Sequence, residues 1–216
     1  MTFVRLVFLC FTVGFLTTPV PAEDGDETRV ILFLGNSLTA GYQLRPSQAF
    51  PALIQEKIDA LAWKFKVVNA GLSGETSAGG LRRIDWVMRQ RIDILVLELG
   101  ANDALRGIPL DVTEANLQAI IDKVRQKYPQ VLIAIAGMMV PPILGQEYTE
   151  QFRSIFPGLA KRNEAALIPF LLEGVAGIVE LNLGDGYHPN PEGHAILAEN
   201  VWKVLKPILE EGWEER

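Results

Sequence analysis

The chain has 216 residues, 49% of them hydrophobic and 21% charged, which suits a globular protein with one sizeable core and excludes a disordered chain. Its formal net charge is −6, so it lacks the basic footprint that nucleic-acid binding needs. Its only cysteine, Cys10, lies in a stretch expected to be removed, which excludes disulfides, thiol nucleophiles and zinc–thiolate sites from the mature chain.

Residues 1–22 read as a signal peptide. Arg5 gives the positive start, Leu6 to Leu16 the apolar segment, and Val20-Pro21-Ala22 the small-residue cleavage site. The apolar segment is short for a membrane span, so no stable anchor is expected after cleavage. Export to a periplasmic or extracellular compartment follows, with residues 23–216 as a single domain.

The apolar run Val30–Leu34 predicts a strand buried on both faces. It ends in Gly35-Asn36-Ser37-Leu38-Thr39-Ala40-Gly41-Tyr42, which delivers a hydroxyl to the end of a sheet. Leu44 to Trp63 predicts a helix with Pro46 and Pro51 early and a stripe of Phe50, Leu53, Ile54, Ile58 and Leu61. A second strand, Phe65–Ala70, runs into the glycine-rich loop Gly71–Ser77. A helix over about Gly79–Gln90 follows.

The third strand, Asp93–Leu99, ends in Gly100-Ala101-Asn102-Asp103. Asp111 reads as an N-cap with Glu114 three residues on, before a helix that buries Val112, Ala115, Ile120, Ile121 and Val124. The fourth strand is Val131–Ala136. Its following loop, Met138 to Gln146, is rich in Met, Pro, Ile and Leu, a surface suited to varied apolar ligands. A helix from about Thr149 contains Pro157, which predicts a kink or break. Leu167-Ile168-Pro169-Phe170 is apolar and ambiguous, and Gly177–Leu181 predicts a short fifth strand before Gly184-Asp185-Gly186-Tyr187-His188-Pro189-Asn190. The last helix runs from Pro191 to about Leu209.

Strands alternating with helices predict a flavodoxin-like three-layer α/β/α sandwich on a mostly parallel five-stranded sheet. All strand-ending loops then share one edge, where such sheets bind ligands. Ser37, Gly74, Asn102 and the Asp185–His188 loop meet there. A serine hydroxyl needs a base to act as a nucleophile. His188 has a carboxylate, Asp185, three residues before it to orient its ring. His194 lies in the last helix and reads as a capping or surface-packing residue. Gly74 offers a backbone N–H and Asn102 a side-chain amide for a developing oxyanion. A tight turn at Gly74 and an Asx-turn at Asn102 are the alternatives. Phosphate-loop, dinucleotide and His-Glu-x-x-His motifs are absent from the sequence. Thr39 stands where the Gly-x-Ser-x-Gly elbow needs glycine.

These blocks resemble the SGNH (GDSL) hydrolase family across most of the mature chain. Gly35-Asn36-Ser37-Leu38 is similar to the first block, Gly74 falls in the second, Gly100-Ala101-Asn102-Asp103 in the third and Asp185–Asn190 in the last. The resemblance implies Ser37, Asp185 and His188 as a triad, and Ser37, Gly74 and Asn102 as the oxyanion hole. A narrower likeness is to multifunctional exported bacterial esterases with arylesterase, acyl-CoA thioesterase and lysophospholipase activities. It rests on Ser37–Tyr42, Glu98-Leu99-Gly100, Leu105-Arg106-Gly107 and Phe156–Lys161. Asn36 replaces the aspartate of the family's name, and Ala101 stands where this branch often has glycine.

The expected protein is a serine esterase with no cofactor and no metal. It would act, as a monomer, on small esters or lipid-like acyl substrates, binding no nucleic acid. A carbohydrate O-acetylesterase on the same scaffold and a catalytically idle binding domain are the other readings.

Overall fold

The computed structural model describes residues 28–214, so the signal-peptide reading and Cys10 lie outside the described residues. Among the described residues five strands, β1 (Arg29–Gly35), β2 (Phe65–Gly71), β3 (Ile94–Glu98), β4 (Leu132–Ala136) and β5 (Ala166–Ile168), form one parallel sheet in the order β2-β1-β3-β4-β5. This is the predicted flavodoxin-like order. Seven α-helices accompany them in the same span: α1 (Ser37–Ala40), α2 (Phe50–Ala60), α3 (Ser77–Val87), α4 (Ala101–Leu105), α5 (Leu110–Lys127), α6 (Gln146–Arg162) and α7 (Pro191–Glu214). Among the described residues no helix is long and apolar enough to cross a membrane.

β1 is an interior strand, paired on both sides by β2 and β3, and its Ile31, Leu32, Phe33 and Leu34 are completely buried. Burying each such side chain contributes about 1.5–3 kcal/mol. Phe33 meets Phe50 of α2 edge-on, with ring centroids 5.6 Å apart. Helix α2 packs on α7, while α3 packs on α5 and α5 on α6. Right-handed crossovers require this division: the chain moves outward from β1 to β2, then reverses toward β3, β4 and β5. The reversal lies between β1 and β3, and the crevice at their carboxyl ends is the switch point where such folds bind ligands.

β2 is an edge strand, and a side chain takes the place of a neighbour. The Gln55 amide accepts from Val67 N–H (2.6 Å) and donates to the Phe65 carbonyl (3.1 Å), which blunts an edge that would otherwise invite pairing.

Several sequence expectations are corrected. The fifth strand is Ala166–Ile168, overlapping the start of the ambiguous stretch; Gly177–Leu181 is a turn and a 3₁₀ helix. Gly177 has φ +77°, and Val179 is 80% exposed, so its apolar character does not mark a sheet residue. The Leu44–Trp63 helix is a 3₁₀ turn, Pro46–Gln48, followed by α2, and each proline stands in a first turn where its missing N–H costs nothing. Leu61 is exposed. Asp111 does not cap α5: Pro109 holds the cap position, and Asp111 lies in the first turn, where its charge favours the helix dipole. Val112 and Ala115 are both exposed; the buried face is Thr113, Leu117, Ile120, Ile121 and Val124. Helix α6 is uninterrupted at Pro157, held by buried Phe152, Ile155, Phe156 and Leu159.

Candidate active site

The turn after β1 is built by close packing. A Cβ on Gly35 would lie 2.0 Å from Thr39 Oγ1, and one on Gly71 of β2 would lie 2.2 Å from Ala40 N. Glycine at both positions lets α1 press against the ends of two strands. The Asn36 side chain accepts from Leu38 N–H (2.9 Å) and caps α1. Gly41, at φ +73°, ends it, and Tyr42 N–H donates to Ser37 O (3.0 Å). Ser37 is thereby fixed at the first position of a one-turn helix, only 8% exposed.

The loop before α7 brings the imidazole to it. Ser37 Oγ lies 2.8 Å from His188 Nε2, and His188 Nδ1 lies 2.7 Å from Asp185 Oδ2. Asp185 Oδ1 also accepts from the backbone N–H groups of His188 (3.0 Å) and Tyr187 (2.9 Å). These bonds, the one from His188 N–H foremost, hold the Asp185 pKa down to about 2. An ionised carboxylate only accepts, so the Nδ1 proton belongs to His188 and Nε2 is left to accept from the serine hydroxyl. The loop is pinned by Leu183 N–H to His188 O (2.7 Å) and by Gly186 at φ +75°. The Tyr42 ring packs against the imidazole, centroids 4.5 Å apart. In the sequence Tyr42 is marked only by its place in the Ser37–Tyr42 block.

Asn102 sits on α4 at the end of β3, beside Ser37 in a pocket of about 150 Å³ whose apolar wall includes Leu38, Leu105, Met138 and Val140. Asn102 Nδ2 donates to Glu75 O (3.0 Å), which occupies one of its two hydrogens. Gly74 does not line that pocket. It has φ +79°, so glycine is needed there for backbone conformation. Arg106 donates to its carbonyl (2.9 Å). Asn102 and Arg106 thus tether the Gly74–Glu75 turn from α4. Behind them the buried Asp103 carboxylate accepts from Ser77 N–H (2.8 Å) and Ser77 Oγ (2.5 Å), joining α4 to α3.

Of the Met138–Gln146 loop only the first part reaches the pocket; Ile143 is 91% exposed. A larger groove, about 730 Å³, runs between β2 and α3 beside Trp86 and Arg89, away from the serine and imidazole. His194 is not a surface residue: it is 1% exposed, and its Nδ1 accepts from the N–H of Phe50 (3.1 Å), the first residue of α2, so the cap it makes is on that helix and not on its own. Among the described residues no group of three or more His, Cys, Asp or Glu side chains is placed to hold a metal ion.

Residues 33–196 match the model of the GDSL-like Lipase/Acylhydrolase family. The chain is 36% identical over 201 residues to the esterase TesA of Pseudomonas aeruginosa, covering 93% of this chain and 96% of that protein. It is 37% identical over 180 residues to the thioesterase 1/protease 1/lysophospholipase L1 of Escherichia coli K12, covering 83% and 84%. Among solved structures it is similar to the psychrotrophic esterase EstA from Pseudoalteromonas sp., inhibited there by monoethylphosphonate. That match has a TM-score of 0.78 at 33% identity and covers 84% of this chain and 99% of that one.

Proposed function

The chain belongs to the GDSL-like lipase/acylhydrolase family, and on that premise we propose that it hydrolyses carboxylic esters or thioesters through Ser37, His188 and Asp185. The observation that carries the proposal is the unbroken run from Ser37 Oγ through the imidazole to a carboxylate, at 2.8 and 2.7 Å.

In this mechanism His188 Nε2 takes the Ser37 proton as Oγ attacks the acyl carbonyl carbon. The ionised Asp185 steadies the imidazolium without becoming protonated. The carbonyl oxygen gains negative charge and is met by Ser37 N–H, Gly74 N–H and the second hydrogen of Asn102 Nδ2. The imidazolium returns its proton to the alcohol or thiol, which leaves as the carbon–oxygen or carbon–sulfur bond breaks. Water, deprotonated by His188, then attacks the acyl-serine, releasing the acid and restoring the Ser37 hydroxyl.

The wall of Leu38, Leu105, Met138 and Val140 would take the acyl chain. A pocket of about 150 Å³ accommodates roughly a six-carbon group, so acyl chains of about four to eight carbons should be used at least as well as acetate. Residues 1–22 are proposed as the export signal, which places the enzyme in a periplasmic or extracellular compartment, acting as a monomer on small or lipid-like esters. Turnover of aryl esters from acetate upward by the mature protein, with Ser37→Ala alongside, is the test. Strict acetate preference would instead favour a carbohydrate O-acetylesterase, and turnover by Ser37→Ala would end the serine mechanism.

A further inference from the structure

Glu98, the last residue of β3, is 1% exposed and takes no part in the mechanism above. Its carboxyl faces the nucleophile turn. Oε1 accepts from Asn36 Nδ2 (2.6 Å), while Oε2 accepts from Asn36 N–H (3.0 Å) and from Thr39 Oγ1 (2.8 Å). One carboxyl therefore grips the residue before Ser37 and the residue two after it. The site is made for it: a Cβ on Gly35, its cross-strand partner, would meet Glu98 Oε2 at 2.5 Å. None of these three donors carries a charge. Burial pushes its pKa up to about 7, against the hydrogen bonds from Thr39 and Asn36 that favour the ionised form.

The identity of residue 36 decides how this contact works. Asn36 offers Nδ2 to Glu98 while its Oδ1 receives Leu38 N–H, so each end of the amide has one fixed partner. A carboxylate at position 36, the residue the resemblance leads one to expect there, would put two carboxyl oxygens 2.6 Å apart and would require a shared proton. With asparagine the donor is permanent.

We propose that Glu98 is a positioning residue that holds Ser37 on aim through Asn36 and Thr39, with the Asn36 amide and the Glu98 carboxylate acting as a complementary pair. The inference rests on Ser37 being the nucleophile. Ser37 Oγ must stay near 2.8 Å from His188 Nε2, and displacement of a reacting group by about 1 Å costs on the order of a hundredfold in rate.

The pair can be exchanged. Glu98→Gln alone sets an amide against an amide: whichever way it turns, an N–H group meets another donor. Adding Asn36→Asp restores every contact. The amide oxygen introduced by Glu98→Gln accepts from the residue 36 N–H and from Thr39, its nitrogen donates to the carboxylate introduced by Asn36→Asp, and that carboxylate still accepts from Leu38 N–H. The experiment measures kcat and KM for an aryl ester, and the rate of Ser37 labelling by a fluorophosphonate, in the wild type, Glu98→Gln and the Asn36→Asp/Glu98→Gln double variant. The expected result is a fall of about tenfold or more in kcat and labelling rate for Glu98→Gln, with KM within about threefold, and recovery of most of both losses in the double variant. Glu98→Gln with wild-type kcat, or a folded double variant no faster than the single one, overturns the proposal. If Glu98→Gln does not fold, Thr39→Val decides: a severalfold lower kcat at unchanged KM supports positioning, and a wild-type kcat overturns it. Failure of the wild type to be labelled at Ser37 would instead remove the serine mechanism itself.

Discussion

His188 and His194 stand six residues apart in sequence and in opposite surroundings. His188 lies in a loop, partly open to solvent, with Asp185 on one ring nitrogen and Ser37 on the other. His194 lies in the first turns of α7, its ring stacked with Phe50 at 6.1 Å, its Nδ1 taking the Phe50 N–H. Opposite tautomers follow. An acceptor faces Nδ1 of His188, which carries its proton there; a donor faces Nδ1 of His194, which carries its proton on Nε2. Burial first, and then the nearby His188, lower the His194 pKa to about 4. One ring is arranged to accept a proton at Nε2 from a hydroxyl, and the other is held neutral as a structural acceptor. What the ring nitrogens meet, and not distance from the serine in the chain, decides the role.

The largest expected effect separates the two directly. His188→Ala should lower kcat by ~10⁴-fold or more, by analogy with triad deletions, with an unchanged circular dichroism spectrum. His194→Ala should retain most of the activity per folded molecule. A dead but folded His194→Ala beside an active His188→Ala would reverse the assignment.

Next in size, Asn102→Ala should reduce kcat by roughly a hundredfold with little change in KM, since its free amide hydrogen is engaged mainly in the transition state. An unchanged kcat would confine Asn102 to its structural bond with Glu75 O.

The smaller effect is on stability. His194 has a folded pKa of about 4 against about 6.5 in the unfolded chain. Below about 6.5 the unfolded chain takes up the proton first, so stability falls as pH drops from about 6.5 toward 4 and the contribution then levels off. The loss is on the order of 3 kcal/mol. Urea unfolding across that range should show it in the wild type and lose this component in His194→Asn, whose amide oxygen can replace Nδ1 as acceptor for Phe50 N–H. An identical pH dependence in both proteins would mean that His194 is not the titrating group.

Sequence alone reveals residues whose signal is local. Gly35-Asn36-Ser37 at the end of an apolar run and Asp185 three residues before His188 are such signals, because strand ends in a parallel sheet gather at one edge. The four long strands are legible for the same reason: their apolar runs are buried on both faces or pair along the sheet. Signals supplied from far away are not legible. The Phe50 N–H that fixes His194 is 144 residues away, and the Asn36 amide that meets Glu98 is 62 away. β5 is only three residues long, so its pairing with β4 outweighs a pattern too short to recognise. Gly177–Leu181 has the apolar content of a strand, but Ile178 and Val179 face solvent. In the site, Gly74 is explained by its positive φ and by the Arg106 and Asn102 tethers on its turn, which join residues after two different strands.

The central claim is that Ser37 is activated by His188 and not by His194. Peptide mapping after a timed reaction with a fluorophosphonate measures this in one experiment, with the wild type and both alanine variants labelled in parallel. The account predicts a single adduct on Ser37 in the wild type, labelling slowed by orders of magnitude in His188→Ala, and a near wild-type rate in folded His194→Ala. An adduct on another residue, or equal labelling rates in His188→Ala and the wild type, would contradict it.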